Sequence, residues 1–176
     1  MKGTPNKTNP RAPRPRPVYI SLGSNIEAPR NLLAAFKALR RLGEIRSVSH
    51  VYESEAVGPP GQPRFLNAVV RLDTPDDALQ LRSKLRALEA ELGRVRASDT
   101  FAPRPIDLDL VAIDGTADPD VALRAYLAVT LAEVAPDLRL GDQKETVAAC
   151  AARLRSTADV QPRPDVDRAL AMEAGR

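Results

Sequence analysis

Phe65-Leu66-Asn67-Ala68-Val69-Val70-Arg71-Leu72, followed at once by Thr74-Pro75-Asp76-Asp77, is the stretch from which the fold can be read. Leu66, Ala68, Val70 and Leu72 fall on one face of an extended chain, and Phe65, Asn67, Val69 and Arg71 on the other, the period of two that marks a strand. The four residues after it form a helix start: a capping hydroxyl, a proline at the first helical position and acids in the first turn. Leu81, Leu85, Leu88 and Leu92 then recur at helical spacing until Gly93, and Ile106–Ile113 returns as a strand. A strand, a helix and a second strand joined in this order form one βαβ unit.

The chain upstream repeats the pattern. Val18, Ile20 and Leu22 alternate with Tyr19 and Ser21, and the turn Gly23-Ser24-Asn25 ends the strand. Leu32, Phe36 and Leu39, widened by Leu33 and Leu42, give a helix that stops at Gly43, and Ile45–Ser54 reads as one further strand. Val57-Gly58-Pro59-Pro60-Gly61-Gln62-Pro63 is a loop. The predicted fold is α+β, a ferredoxin-like βαββαβ antiparallel sheet with helices on one face. Further helices are expected near Val121–Val134 and Glu145–Arg155.

Residues 1–17 carry Lys2, Lys7, Arg11, Arg14 and Arg16, no acid, and five of the sixteen prolines, so a disordered basic tail is expected there. Without those five charges the net +3 becomes about −2 for the body, which argues against a nucleic-acid binder. A single domain is expected over 18–155, with a flexible extension over 156–176. No apolar run is long enough to cross a bilayer, and no signal-peptide core is visible. The single cysteine, Cys150, lies in an Ala-rich helical stretch and reads as a buried structural thiol, and His50 reads as a sheet residue. A cytoplasmic protein is expected.

Chemistry concentrates between Gly93 and Leu110. Asp107 and Asp109 sit two apart on the last strand of the second βαβ unit, so their carboxylates share a face while Leu108 and Leu110 point into the core. Read alone, such a pair fits either an ion pair with nearby arginines or a metal site. Arg94, Arg96 and Arg104 lie in the segment leading to it, and guanidinium groups grip phosphate oxygens in bidentate fashion. Carboxylates for magnesium beside arginines for phosphate is the combination that nucleotide chemistry needs.

Pro103-Arg104-Pro105-Ile106-Asp107-Leu108-Asp109-Leu110 resembles the signature of the 6-hydroxymethyl-7,8-dihydropterin pyrophosphokinases of folate biosynthesis. Leu22-Gly23-Ser24-Asn25, Gly58-Pro59, Gln62-Pro63, Phe65-Leu66-Asn67-Ala68, Gly93-Arg94-Val95-Arg96 and Leu131–Leu138 extend the resemblance over Val18 to Leu140. It implies transfer of diphosphate from ATP to a pterin hydroxymethyl group, with release of AMP. By the resemblance, Asp107 and Asp109 hold two magnesium ions, and Arg94 and Arg104 contact the transferring group. Arg96, Phe101 and Arg124 serve the nucleotide, Ser54, Val57, Phe65, Asn67 and Tyr126 form the pterin pocket, and Glu89 matches a family glutamate. The partners implied are small molecules only, with neither nucleic acid nor membrane.

The match breaks in three places. Asp118 stands where the family places the histidine of a Pro-His pair, Phe101 where a tryptophan is common, and Ala97 where a basic residue is usual. These departures admit two alternatives: a paralogue acting on another pterin, or a binding module without turnover. A palm-type nucleotidyltransferase is disfavoured because its Gly-Ser turn closely precedes the acids, whereas Gly23-Ser24 and Asp107 are far apart. Closure of the loop 98–103 is expected to exclude water.

Overall fold

The structure is a computed structural model that describes residues 14–95, 99, 101–141 and 145–175. Residues 1–13, Arg96, Ala97, Ser98 and Thr100 lie outside the described residues, and with them the expectations for Arg96, for part of the closing loop and for most of the tail.

The chain folds as α+β. β1 (Arg16–Ser24) is followed by α1 (Ala28–Leu39), β2 (Glu44–Val48), β3 (Tyr52–Ser54), β4 (Phe65–Thr74), α2 (Ala78–Glu91) and β5 (Asp107–Ile113). β6 (Thr116–Ala117), a 3-10 turn (Pro119–Leu123), α3 (Ala125–Val134), β7 (Arg139–Leu140), α4 (Val147–Arg155), β8 (Val160–Pro162) and α5 (Pro164–Ala174) complete it. One mixed sheet runs β7-β6-β5-β1-β4-β3-β8, and β2 also pairs with β4. β4 and β5 flank β1 antiparallel, while β6 and β7 are parallel.

Sequence alternation sorts the sheet into two faces. Val18, Ile20, Leu22, Leu66, Ala68, Val70, Leu72, Leu108 and Leu110 pack under α1, α2 and α5. Tyr19, Val69, Val111 and Ala112 belong to a second cluster with α3 and α4. Helices therefore cover both faces, a correction to the single helical face expected. A β-bulge makes part of this possible. Ile20 pairs with Leu110 but Tyr19 with Ala112, so Val111 is the extra residue, and two successive side chains join the second cluster.

The predicted second strand is broken. Ser49 interrupts it, accepting from Val69 N–H through Oγ (2.9 Å) while its own N–H donates to Val69 O (2.9 Å). His50 lies in the break and not on a strand; its ring Nδ1 is 3.0 Å from Glu133 Oε2. The cap of α2 also moves. Thr74 ends β4, and Asp77 caps the helix in a capping box with Gln80 (2.8 and 3.0 Å). Gly43 is required by close approach more than by helix termination, since a side chain there would collide with the Asp73 carbonyl of β4.

Both boundaries of the body shift. Arg16 and Pro17 already belong to β1, with Arg16 opposite Thr74 and paired to Asp114 at 3.1 Å. At the other end, residues past 155 are built into the domain. β8 pairs with β3, and α5 buries Val166 and Leu170 in the first core cluster. The flexible extension expected over 156–176 is thus corrected for its described part, because Val166 and Leu170, one helical turn apart, give α5 an apolar stripe to bury.

Candidate active site

Four strands place one row of residues on the face that carries the second core cluster. Tyr52 of β3 lies opposite Asn67 of β4, Asn67 opposite Gly23 of β1, and Gly23 opposite Asp107 of β5. Directly paired residues project from the same face, so the row sets Asn67 and Asp107 on either side of a glycine. A Cβ on Gly23 would lie 3.5 Å from Asn67 Oδ1 and 3.6 Å from Phe65 Cδ1. The missing side chain leaves an open floor. Next to it, Ser21 pairs with Asp109.

Over this floor lies a cavity of about 240 Å³, lined among others by Ser54, Val57, Phe65, Asn67, Asp107 and Tyr126. Asn67 is buried, and its Nδ2 donates to Ser54 Oγ (3.0 Å), Phe65 O (3.3 Å) and Tyr52 O (3.4 Å). With its amide nitrogen committed to the sheet, the carboxamide offers its oxygen to the cavity. Phe65 supplies an apolar wall, and the Arg104 guanidinium sits 6.0 Å from its ring centroid. Tyr126 accepts from Arg124 Nη1 at 3.2 Å.

A second cavity of about 410 Å³ adjoins the first and shares Asp107, Asp109, Arg104 and Arg124 with it. Arg82, Arg86 and Arg94 add to its basic wall. The two cavities meet at the acidic pair. Asp107 accepts from Arg94 and from Arg104 Nη1 (2.8 Å). Arg94 is held in turn by buried Glu89, whose Oε1 also accepts the Leu108 N–H at 2.9 Å. Burial works against the charge on Arg94, but Asp107 and Glu89 more than offset it and hold its pKa above the ordinary value.

Asp109 is in a different situation. The protein packed round it disfavours its ionised form even though its outer edge meets solvent, and the negative charges of Asp107 and Glu89 add to that. Its carboxyl is pushed above the usual range against the opposing pull of Arg94 and Arg82. The site therefore presents an under-compensated carboxylate at the junction of the two cavities. A divalent cation with carboxylate and water ligands fits that donor set.

The structure thus brings Ser54, Val57, Phe65, Asn67, Phe101, Arg104, Asp107, Asp109, Arg124 and Tyr126 to one cavity and Arg94 to its neighbour. Sequence reasoning missed Arg82 and Arg86. Each follows a core leucine of α2 by one position, as Glu89 does, so the three flank the Leu81, Leu85, Leu88 stripe. That offset was a readable signal. It also missed Ser21 and the floor role of Gly23, which follow from register alone. Asp118, which the resemblance set against a family histidine, lines the first cavity and accepts the Asp120 N–H (3.0 Å) as cap of the 3-10 turn.

Paired carboxylates beside arginines, at a cavity walled by an aromatic ring and a fixed carboxamide, define a phosphate-transferring enzyme that holds a flat polar substrate. More narrowly, the chain belongs to the 7,8-dihydro-6-hydroxymethylpterin-pyrophosphokinase (HPPK) family, whose model matches residues 19–136. A Pseudomonas aeruginosa 2-amino-4-hydroxy-6-hydroxymethyldihydropteridine pyrophosphokinase is 40% identical over 148 residues, covering 76% of this chain and 91% of the relative. Proteins of the same name from Methylorubrum extorquens (38%, 77% and 92% covered) and Haemophilus influenzae (35%, 69% and 83% covered) are similar too. Among solved structures, wild-type Plasmodium falciparum HPPK-DHPS with SDX-DHP matches the fold with a TM-score of 0.65 at 12% identity over 81% of this chain. This chain spans 45% of that longer one.

Proposed function

We propose that this chain transfers diphosphate from ATP to the hydroxymethyl group of 6-hydroxymethyl-7,8-dihydropterin, releasing AMP. The observation that carries the reading is the row Asn67, Gly23, Asp107. It joins a slot suited to a flat hydrogen-bonding ring with a basic cavity suited to a triphosphate, and Asp107 and Asp109 stand at the junction. The pterin lies over Gly23 with an N–H donating to Asn67 Oδ1 and its ring against Phe65. The triphosphate lies among Arg82, Arg86, Arg94, Arg104 and Arg124.

Asp107 and Asp109 would hold two magnesium ions. When bound, these ions supply neutralisation of the charge that develops on the phosphate oxygens. The residues of the chain do the positioning. The pterin hydroxyl oxygen bonds to the β-phosphorus as that phosphorus parts from the oxygen it shares with the α-phosphate. The hydroxyl proton leaves to solvent and AMP departs. Arg94 and Arg104, which hold Asp107, would also be within reach of the phosphates, and the reaction is accelerated mainly by alignment and charge stabilisation.

The inner elements β1, α1, β2 with β3, β4, α2 and β5 support the ferredoxin-like reading, since both βαβ units place an antiparallel strand between their own two. A cytoplasmic enzyme whose partners are small molecules fits the near-neutral body. The test is product analysis with ATP, magnesium and hydroxymethyl-dihydropterin. AMP and pterin diphosphate in equal amounts, abolished by chelation, are expected. ADP in place of AMP, or no turnover, refutes the reading.

A further inference from the structure

β3 is three residues long, yet it furnishes two of the three acceptors that fix the Asn67 amide: Ser54 Oγ and Tyr52 O. Three residues allow only one or two ladder hydrogen bonds to each neighbour, so both edges of β3 matter to its position. Its other edge is occupied by β8, with Tyr52 opposite Pro162, Glu53 opposite Gln161 and Ser54 opposite Val160. Pro162 has no N–H and sits at a pair that needs none, because Arg163 N–H already donates to Val51 O at 2.9 Å and bonded pairs alternate in an antiparallel ladder.

Side chains reinforce the ladder at both ends. Arg155, the last residue of α4, donates to Tyr52 Oη (2.8 Å) and lies 5.4 Å from the centre of its ring. Arg163 Nη1 donates to Glu53 Oε2 at 3.2 Å. Arg64, adjacent to Phe65, reaches Asp159 Oδ2 at 2.9 Å and Glu53 Oε1 at 3.6 Å. The same few residues thus grip both the strand that orients Asn67 and the residue that precedes Phe65. Arg155, Asp159 and Arg163 lie beyond residue 136, where the family match ends.

We infer that residues 155–163 are a positioning element for the pterin-binding wall: they hold β3, and through it the Asn67 carboxamide and the Phe65 ring, in the geometry that receives the ring. The inference rests on the functional reading above. It assigns no contact between these residues and substrate.

Three variants test it: Asp159→Ala, which removes the shortest of the Arg64 ion pairs and leaves those to Glu53 and Glu55; Asp159→Glu, which keeps a carboxylate; and Gln161→Pro, which removes a ladder donor. The probes are 6-hydroxymethylpterin and ATP, titrated separately by calorimetry, with steady-state kinetics and amide hydrogen exchange over residues 52–54. Asp159→Ala and Gln161→Pro are expected to weaken pterin binding about fivefold or more through misplacement of the wall. The Kd for ATP, and kcat at saturating pterin, should stay within about twofold, and Asp159→Glu should recover most of the loss. Exchange at 52–54 should quicken in the first two variants. Equal weakening of both ligands, or an unchanged pterin Kd in Asp159→Ala, overturns the inference. Should Gln161→Pro fail to fold, Asp159→Ala decides. Should the wild type bind no pterin, the functional reading fails instead, and exchange at 52–54 alone decides: quickened in Asp159→Ala it supports the positioning role, unchanged it refutes it.

Discussion

Glu89→Ala should be among the most damaging single changes in this domain, although Glu89 touches neither cavity. Glu89 is 3% exposed, and its carboxylate accepts the Leu108 N–H at 2.9 Å and holds Arg94. Truncation leaves a strand N–H without that acceptor, a loss worth about 1–3 kcal/mol. It also takes one carboxylate from a largely buried guanidinium, and breaking a buried pair from one side costs roughly 3–5 kcal/mol. The two costs overlap because they share one side chain, and Asp107 still holds Arg94, so the expected loss is about 3 kcal/mol. At this size that lowers Tm by about 6–12 °C. Glu89→Gln keeps an acceptor for Leu108 and loses only the charge, so it should cost about 1–2 kcal/mol. Urea denaturation of the three proteins reads both numbers. NMR titration adds a second readout: Glu89 helps push the Asp109 carboxyl up, so Glu89→Gln should bring the Asp109 pKa down. An alanine variant within ~0.5 kcal/mol of wild type refutes the buried tether, and an unmoved Asp109 refutes its electrostatic reach.

Asp109→Asn should abolish turnover while leaving stability at neutral pH equal to wild type or higher. The folded Asp109 carboxyl is raised, so its favourable contribution is complete below the unfolded value and is lost as pH rises through the folded one; the variant's advantage in denaturation should therefore grow with pH and vanish in acid. Asp107→Ala should also lose turnover, by about a thousandfold, but with a stability cost of about 1–2 kcal/mol, since Asp107 is held by Arg94 and Arg104; full activity in either variant sinks the two-metal reading. Asn67→Ala should weaken pterin binding by ~1–3 kcal/mol by calorimetry with ATP affinity unmoved, and equal loss for both ligands would make Asn67 merely structural. Arg82→Gln with Arg86→Gln should weaken binding of magnesium triphosphate about tenfold and flatten its salt dependence; wild-type affinity in the double variant would remove α2 from the phosphate site.

Local pattern was enough for much of this protein. The alternation of Val18, Ile20 and Leu22 and of Leu66, Ala68, Val70 and Leu72 is a direct record of one buried sheet face, and Leu81, Leu85 and Leu88 record the helix that covers it. The two-residue spacing of Asp107 and Asp109 fixed their shared face for the same reason, since side chains alternate along a strand. The motifs from Gly93 to Leu110 carry the resemblance to the pyrophosphokinases in local residue order alone. Tertiary structure alone decided what lies beside what across strands. Register set Gly23 between Asn67 and Asp107, and no pattern within one segment encodes register with its neighbours. The break at Ser49, the bulge at Val111 and the second helical layer all follow from long-range pairing that overrides local preference. The residues past 155 illustrate the limit most clearly. Val160-Gln161-Pro162 is too short to announce itself as a strand, and it becomes one only because the open edge of β3 supplies a partner for its backbone groups.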